Sequence, residues 1–193
     1  MSSEGVDLKK RRFLTTTTAV VGAIGAGFAA VPFLASWQPS ERAKALGAPE
    51  EADISQLEPG GLLRVKWRGK VCWVVHRTSQ MLEDLPSLDD TLADPNSEVA
   101  SQQPAYCQNP TRSIKPKYFV AVGICTHLGC SPTYRPDMAP ADLGADWKGG
   151  FFCPCHGSKF DLSGRVYAGV PASTNLVVPP YSFEGDSVLV IGV

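Results

Sequence analysis

The sequence predicts an all-β domain of antiparallel strands that follows a single N-terminal transmembrane helix. Two observations support this fold class. No charged residue occurs between Phe13 and Ser40, and from residue 62 onward short segments rich in Val, Phe and Tyr alternate with glycine and proline turns. A third observation, two short segments that combine cysteine with histidine, indicates a metal centre within the β domain.

The apolar segment at residues 13–37 is long enough to cross a membrane. Its 25 residues would form a helix of about 37 Å, against a hydrocarbon core of about 30 Å. A cleaved secretory signal is the alternative, but the apolar core of such a signal is usually only about 7–15 residues long. We therefore expect a retained anchor. The basic residues at 9–12 place residues 1–12 in the cytoplasm and the rest of the chain on the opposite side.

The segment "KKRRFLT" at residues 9–15 also resembles a twin-arginine export signal, the route for proteins that acquire a cofactor before export. The register is imperfect, because Arg11-Arg12 lies one residue late relative to the hydrophobic pair Phe13-Leu14. Positive charge that merely flanks a membrane helix explains the same residues. Both interpretations stay open at this point.

The remainder of the chain divides into a polar connector and one domain. Residues 38–50 lack apolar periodicity and are predicted to be a flexible tether. Residues 51–193 form the β domain. Its predicted strands are "LLRVKW", "VCWVVHR", "YFVAVG", "GGFFC" and "SVLVIGV". Residues 78–116 form an insertion, with a short helix in "SQMLEDLPSLDDTL" and a surface loop after it.

The charge distribution excludes a nucleic-acid-binding role. The formal net charge is −1, and residues 1–12 carry an excess of +2, which leaves −3 for the rest of the chain. A protein without a basic face cannot release counterions from a phosphate backbone.

The candidate metal ligands lie in two boxes, "CTHLGC" at residues 125–130 and "CPCHGS" at residues 153–158. Together the boxes hold four of the six cysteines and two of the three histidines of the chain. A zinc site usually takes a pair of cysteines and a pair of histidines from separate segments, whereas each of these boxes mixes the two types. A 2Fe-2S centre that binds one iron through thiolates and the other through imidazoles needs both types from each of two loops.

These boxes resemble those of the Rieske iron-sulfur family, in the membrane-anchored form found in cytochrome bc complexes. The resemblance covers nearly the whole chain, including the apolar segment, the tether, the paired boxes and "GVPAS" at residues 169–173. It implies the Rieske fold, in which an antiparallel β base domain carries a small cluster-binding subdomain, here at about residues 118–174. It also implies one 2Fe-2S cluster as the cofactor.

The resemblance assigns roles to the residues of both boxes. Cys125 and Cys153 would bind the inner iron, and His127 and His156 the outer iron. Further implied features are a disulfide between Cys130 and Cys155, a hydrogen bond from Ser158 to a bridging sulfide, and Leu128 at the surface that meets the quinone pocket. His156 and His127 would be the catalytic residues, because a cluster histidine receives the quinol proton.

The function implied by the resemblance is that of a subunit of quinol–cytochrome c oxidoreductase. The partners are then cytochrome b, a c-type cytochrome and quinol, in a dimeric complex of the bacterial inner membrane with a periplasmic head. The isolated chain would be an electron carrier. The alternative is a soluble-type Rieske ferredoxin or the Rieske small subunit of another oxidoreductase, such as arsenite oxidase.

Three residues stand outside this scheme. His76 lies in a predicted strand and is expected to be a packed or surface residue. Cys72 and Cys107 are either bystander thiols or a second disulfide. A departure from the family pattern concerns Phe160, since many high-potential members have a tyrosine there whose hydroxyl donates to a ligand sulfur.

Overall fold

The chain divides after Ala45 into a helical N-terminal unit and a β-rich unit. The computed structural model describes residue 5 and residues 7–193. The antiparallel β fold and the N-terminal apolar helix predicted from the sequence are both present.

Helix α1 spans Leu8–Ala35 and is long and apolar enough to cross a membrane. The Asp7 carboxylate caps its first turn by accepting the backbone N–H groups of Lys9 and Lys10 at 2.9 and 3.2 Å. Its 28 residues correspond to about 42 Å, and an 18-residue window has a mean hydropathy of 1.9 with none of its side chains buried by the protein. This part of the helix therefore presents an apolar surface that the protein does not cover, as a lipid-facing segment requires.

The connector contains a second helix that its polar composition did not predict. Helix α2 spans Glu41–Gly47; the Ser40 hydroxyl accepts the backbone N–H of Ala43 at 3.2 Å, and Lys44 pairs with Glu41 at 2.8 Å. Seven residues are fewer than the roughly 12–15 that an isolated helix needs in water. Helix α2 is therefore marginal on its own.

The β-rich unit contains three antiparallel sheets of three strands each, in the orders β1-β9-β8, β2-β3-β4 and β5-β6-β7. The strands are β1 (Glu50–Asp53), β2 (Leu62–Trp67), β3 (Lys70–His76), β4 (Tyr118–Val122), β5 (Thr133–Arg135), β6 (Gly150–Cys153), β7 (Ser158–Phe160), β8 (Tyr181–Glu184) and β9 (Val188–Ile191). The first two sheets form the base. The third sheet is contributed by the chain between β4 and β8 and carries both cysteine–histidine boxes at or beside its strands.

The β2–β3 hairpin shows how local sequence sets the register of the base. Arg68 and Gly69 form its two-residue turn with φ of 49° and 72°, the left-handed conformations that a type I′ hairpin turn needs. Val65 and Trp67 are buried while Arg64 and Lys66 are exposed, so the period of two directs one face of β2 into the core.

The insertion at residues 78–116 corrects one expectation. It begins with the predicted helix, α3 (Ser79–Asp84), and continues with three 3-10 helices at Leu85–Thr91, Ala100–Gln102 and Ala105–Cys107. The prediction that the rest of the insertion is a surface loop is partly wrong, because Ser97, Cys107 and Arg112 are fully buried. The Arg112 guanidinium donates to the carbonyls of Leu176 and Ser163 at 2.9 and 3.1 Å, which ties the insertion to distant parts of the chain.

The two cysteines and the histidine that lie outside the boxes are packed or hydrogen-bonded within the β-rich unit. Cys72 and Cys107 are both free and buried, so the second disulfide left open by the sequence is not formed. Burial raises the pKa of Cys72 to about 11 and also raises that of Cys107. His76 donates from Nδ1 to the carbonyl of Leu57 at 2.6 Å, which agrees with the expected packing role.

Candidate metal centre

Three loops surround the candidate site. Loop 1 (residues 123–132) follows β4, loop 2 (residues 154–157) joins β6 to β7, and loop 3 (residues 168–175) lies between β7 and β8. Loop 1 contains the first box, and loop 2 contains the middle of the second box, whose Cys153 and Ser158 lie in the flanking strands.

Loops 1 and 2 form the same turn. The Gly129 N–H donates to the carbonyl of Cys125 at 3.1 Å, and the Gly157 N–H donates to the carbonyl of Cys153 at 2.9 Å. Both glycines have left-handed backbones, with φ of 82° and 78°, a conformation that costs other L-residues free energy. The two cysteines therefore begin equivalent turns, each of which carries a histidine.

The two cysteines that begin these turns form a buried thiol pair. Cys125 is 3% and Cys153 1% exposed, and both belong to the core of the β-rich unit. Burial raises the pKa of Cys153, the nearby Cys125 thiol raises it further, and the backbone N–H groups of Cys155 and His156 act in the opposite direction. A metal cation would favour the thiolate form here, since a coordinating thiol is deprotonated.

The two histidines lie together at the outer edge. The ring centroids of His127 and His156 are 4.8 Å apart with the rings nearly perpendicular, at 89°. His156 is exposed and His127 is half-buried. Within the described residues the Nδ1 atom of His127 is buried and has no hydrogen-bond partner. A buried polar atom without a partner is uncommon in proteins, and this nitrogen is available as a metal ligand.

Cys130 and Cys155 are joined by a disulfide, as the family resemblance implied. Their sulfur atoms and that of Cys153 lie within 4.8 Å of one another. This sulfur triad is not itself a metal site, because two of its members are already bonded to each other. The disulfide instead fastens loop 1 to loop 2 beside the thiol pair.

Loop 3 is attached to both boxes. The Ser158 hydroxyl oxygen accepts the backbone N–H of Ala172 at 3.0 Å, and the Thr126 hydroxyl donates to the carbonyl of Thr174 at 2.6 Å. Sequence reasoning singled out Ser158 but missed Thr126, whose partner is visible only in the fold. Within the described residues the Ser158 hydroxyl proton is not donated to any protein acceptor, so it is free for a group at the site.

The donor set fits a 2Fe-2S group with mixed ligands. Two buried thiols, two imidazoles at the outer edge and a free hydroxyl proton match the requirement for thiolates on one iron and imidazoles on the other. A groove of about 400 Å³ in the β-rich unit is lined by Trp67, Arg68 and Pro180 among others and contains none of these residues. The chemistry of the ligands, rather than the volume of a cavity, therefore locates the site.

This fold and this site define the class of Rieske iron-sulfur proteins, and residues 52–181 match the family model described as "Rieske [2Fe-2S] domain". Residues 1–40 match a second model, described as "Ubiquitinol-cytochrome C reductase Fe-S subunit TAT signal". The chain belongs to the family of iron-sulfur subunits of ubiquinol–cytochrome c reductase, and its cofactor is a Rieske-type 2Fe-2S cluster. The second match confirms the twin-arginine interpretation of the basic residues at 9–12.

The similarity extends over the whole chain. The ubiquinol–cytochrome c reductase iron-sulfur subunit of Allochromatium vinosum is 65% identical over 192 residues, covering 100% of this chain and 92% of the relative. That of Blastochloris viridis is 40% identical over 99% of this chain and 97% of the relative. A chain of a hyperthermophilic respiratory Complex III has a TM-score of 0.51 at 26% identity, covering 92% of this chain and 98% of its own. These similarities favour a cytochrome bc subunit over the alternatives, a soluble-type Rieske ferredoxin or the Rieske small subunit of another oxidoreductase such as arsenite oxidase.

Proposed function

We propose that this chain is the electron-carrying subunit of a cytochrome bc complex: it accepts one electron from a quinol and passes it to the haem of a c-type cytochrome. The buried thiol pair beside an outward-facing histidine pair carries the proposal. The full-length similarity to iron-sulfur subunits of ubiquinol–cytochrome c reductase supports it. The complex is the enzyme, and the isolated chain is a carrier.

Four residues of the two boxes would hold the cluster. Cys125 and Cys153 would bind the inner iron, which agrees with their burial, and His127 and His156 would bind the outer iron. Such a cluster stores one electron, and neutral imidazoles in place of thiolates raise its reduction potential. The Ser158 hydroxyl, whose proton has no protein acceptor within the described residues, would donate it to a bridging sulfide.

The outer edge of the site would receive the quinol. Because the Nδ1 atom of His127 is buried, its Nε2 atom is the one that can reach a partner and hold the quinol proton. His156, which is exposed, would serve in the same way. The neighbouring Leu128 is 71% exposed, and an apolar side chain at this point would pack against a quinone-binding surface of cytochrome b.

The proposed location is the bacterial inner membrane, in a dimeric complex with cytochrome b and a c-type cytochrome. The basic residues in the first turns of α1 favour a cytoplasmic N-terminus, with the β-rich unit in the periplasm. Protease added to spheroplasts should then cleave the β-rich unit and leave the N-terminal residues protected, whereas cleavage in the opposite pattern would reverse the orientation.

Metal analysis tests the proposed function directly. The purified chain is expected to contain two irons and two acid-labile sulfides, without stoichiometric zinc, because the boxes supply mixed ligands to two metal ions. One zinc ion and no sulfide would contradict the cluster and the electron-transfer function together.

The Phe160→Tyr variant is expected to raise the reduction potential of the cluster. Phe160 is fully buried on β7, and a tyrosine hydroxyl there would donate to a ligand sulfur and stabilise the more negative, reduced state. A net hydrogen bond of about 0.5–1.5 kcal/mol corresponds to about 20–65 mV for one electron. Redox titration measures this shift. An unchanged potential, with the tyrosine in place, would show that Ser158 and the backbone amides set the potential.

We also propose that residues 38–50 act as a mobile tether. Proline at Ala43 and Ala45 is expected to slow quinol-to-cytochrome turnover, because it fixes φ and removes N–H donors within α2, so that the segment can no longer exchange between helix and extended chain. The cluster's spectrum should not change. Serine at the same two positions is the matched control and should keep turnover near the wild-type rate. Full turnover in the proline variant would contradict a mobile tether.

A further inference from the structure

We propose that Trp73 is a positioning residue that sets the geometry of both metal-binding loops. The inference rests on the ligand set proposed above. Trp73 lies in β3, the central strand of its sheet, and its neighbours there are Arg64 on β2 and Ala121 on β4. It is 3% exposed. The base sheet therefore fixes the backbone from which its indole extends.

The first contact of Trp73 is with Gly123 of loop 1. A Cβ atom added to Gly123 would lie 2.5 Å from Cε2, 2.7 Å from Cζ2 and 2.8 Å from Nε1 of Trp73, so only glycine fits against this indole. The approach is held by the backbone, because the Gly123 N–H donates to the carbonyl of Val71 at 2.8 Å. Cys125, the proposed ligand in loop 1, follows two residues later.

The second contact is with the strand that leads into loop 2. The rings of Trp73 and Phe151 are stacked, with centroids 5.0 Å apart and an angle of 6° between the planes. Phe151 is fully buried on β6, and Cys153 again follows two residues later. Because side chains two apart on a strand point to the same face, Phe151 and Cys153 move together.

Trp73 thus contacts the residue two positions before each proposed cysteine ligand. The disulfide and loop 3 join the loops at their outer ends, whereas Trp73 spaces the inner ends. A change in the size of this ring should alter the separation and orientation of Cys125 and Cys153. Hydrophobic packing elsewhere in the core would not be expected to have that effect.

The test is a double-mutant cycle in the full chain, assembled in its membrane complex and monitored by the electron paramagnetic resonance spectrum of the reduced cluster. Gly123→Ala should shift or broaden the spectrum and speed the thermal loss of the cluster. Trp73→Phe should speed that loss about two- to tenfold, the range expected when a stacked aromatic pair is weakened. The double variant should recover a narrower spectrum than Gly123→Ala alone, because phenylalanine lacks the indole atoms that the added methyl group would meet.

Trp147→Phe is the matched control, since Trp147 is 2% exposed and its ring stacks on Tyr167 with centroids 6.0 Å apart, whereas the aromatic partners of Phe151 are Trp73, Phe119 and Tyr134. It should leave the spectrum unchanged. A wild-type spectrum in both single variants, additive effects in the double variant, or an equal change in the control would overturn the inference. If Gly123→Ala does not fold, Phe151→Leu tests the second contact by the same spectrum. A wild-type protein with no Rieske signal would instead overturn the proposed function.

Discussion

Replacing His127 or His156 with alanine is expected to abolish the cluster entirely. The two imidazoles are the proposed ligands of the outer iron, and the buried Nδ1 atom of His127 has no other partner within the described residues. Because the two histidines lie at the exposed edge, water can reach an iron that has lost one of them. Iron content and the reduced-cluster spectrum of the purified variants measure this loss.

The third histidine of the chain is a matched control for this prediction. His76→Gln removes an imidazole that packs at 4.8 Å from the ring of Tyr118 and donates to Leu57. It should leave the iron content unchanged. Stoichiometric iron in both the His127→Ala and His156→Ala variants would contradict the ligand assignment.

The disulfide cysteines should give an intermediate result. Cys130→Ser and Cys155→Ser are expected to retain part of the cluster in a labile form, because the disulfide joins the loops and does not bind iron. Equal and complete loss in these variants and in the histidine variants would contradict this division of roles.

The metal-binding residues could be predicted because each box is a local motif. Six residues contain both ligands and the glycine that closes the turn, as the paired Gly129 and Gly157 hydrogen bonds show. The contacts that position the boxes could not be predicted. Thr126 donates to Thr174, 48 residues away, and the Gly123–Trp73 contact joins segments that only the β3–β4 pairing brings together.

The strands also divide into those with a clear local sequence signal and those that form only through pairing in the fold. Long apolar segments such as β3 and β4 were predicted within one or two residues, because their burial and their composition agree. β5 and β7 were missed, since each has only three residues and forms by pairing with β6 rather than from its own propensity. β1 was missed because "EEAD" is polar, and only Ala52 of its four residues is buried.

The burial of part of the insertion was not predicted, because it depends on buried arginine side chains. Arginine is rarely fully buried, yet Arg77, Arg112 and Arg165 are at most 2% exposed. Their guanidinium groups donate to carbonyl oxygens from remote segments, including those of Leu162, Leu176 and Leu85. No periodicity in the sequence signals such partners. The result is a polar core between the insertion and residues 161–165, directly after β7.

Asp161 is the fully buried carboxylate of this polar core. It is 0% exposed, accepts the backbone N–H groups of Ser163 and Arg165 at 2.9 and 2.7 Å, and accepts Nε of Arg165 at 2.7 Å. Burial lowers the pKa of Arg77 and of Arg112 to about 10, and the charge of Asp161 opposes both shifts. Asp161 therefore offsets the cost of burying more than one guanidinium.

Asp161→Asn is expected to destabilise the β-rich unit strongly. The substitution keeps the size of the side chain but leaves Arg165 with Asp89, which is half-exposed, as its remaining carboxylate partner. Removing one member of a buried ion pair typically costs about 3–5 kcal/mol of unfolding free energy. The denaturant midpoint of the chain purified in detergent should fall accordingly, and the cluster should be lost at lower temperature because the 161–165 turn supports β7.

Asp186→Asn, which removes a fully exposed partner of Lys115, should leave the midpoint unchanged. Equal midpoints for Asp161→Asn and the wild type would show that the buried guanidinium groups do not depend on the charge of Asp161.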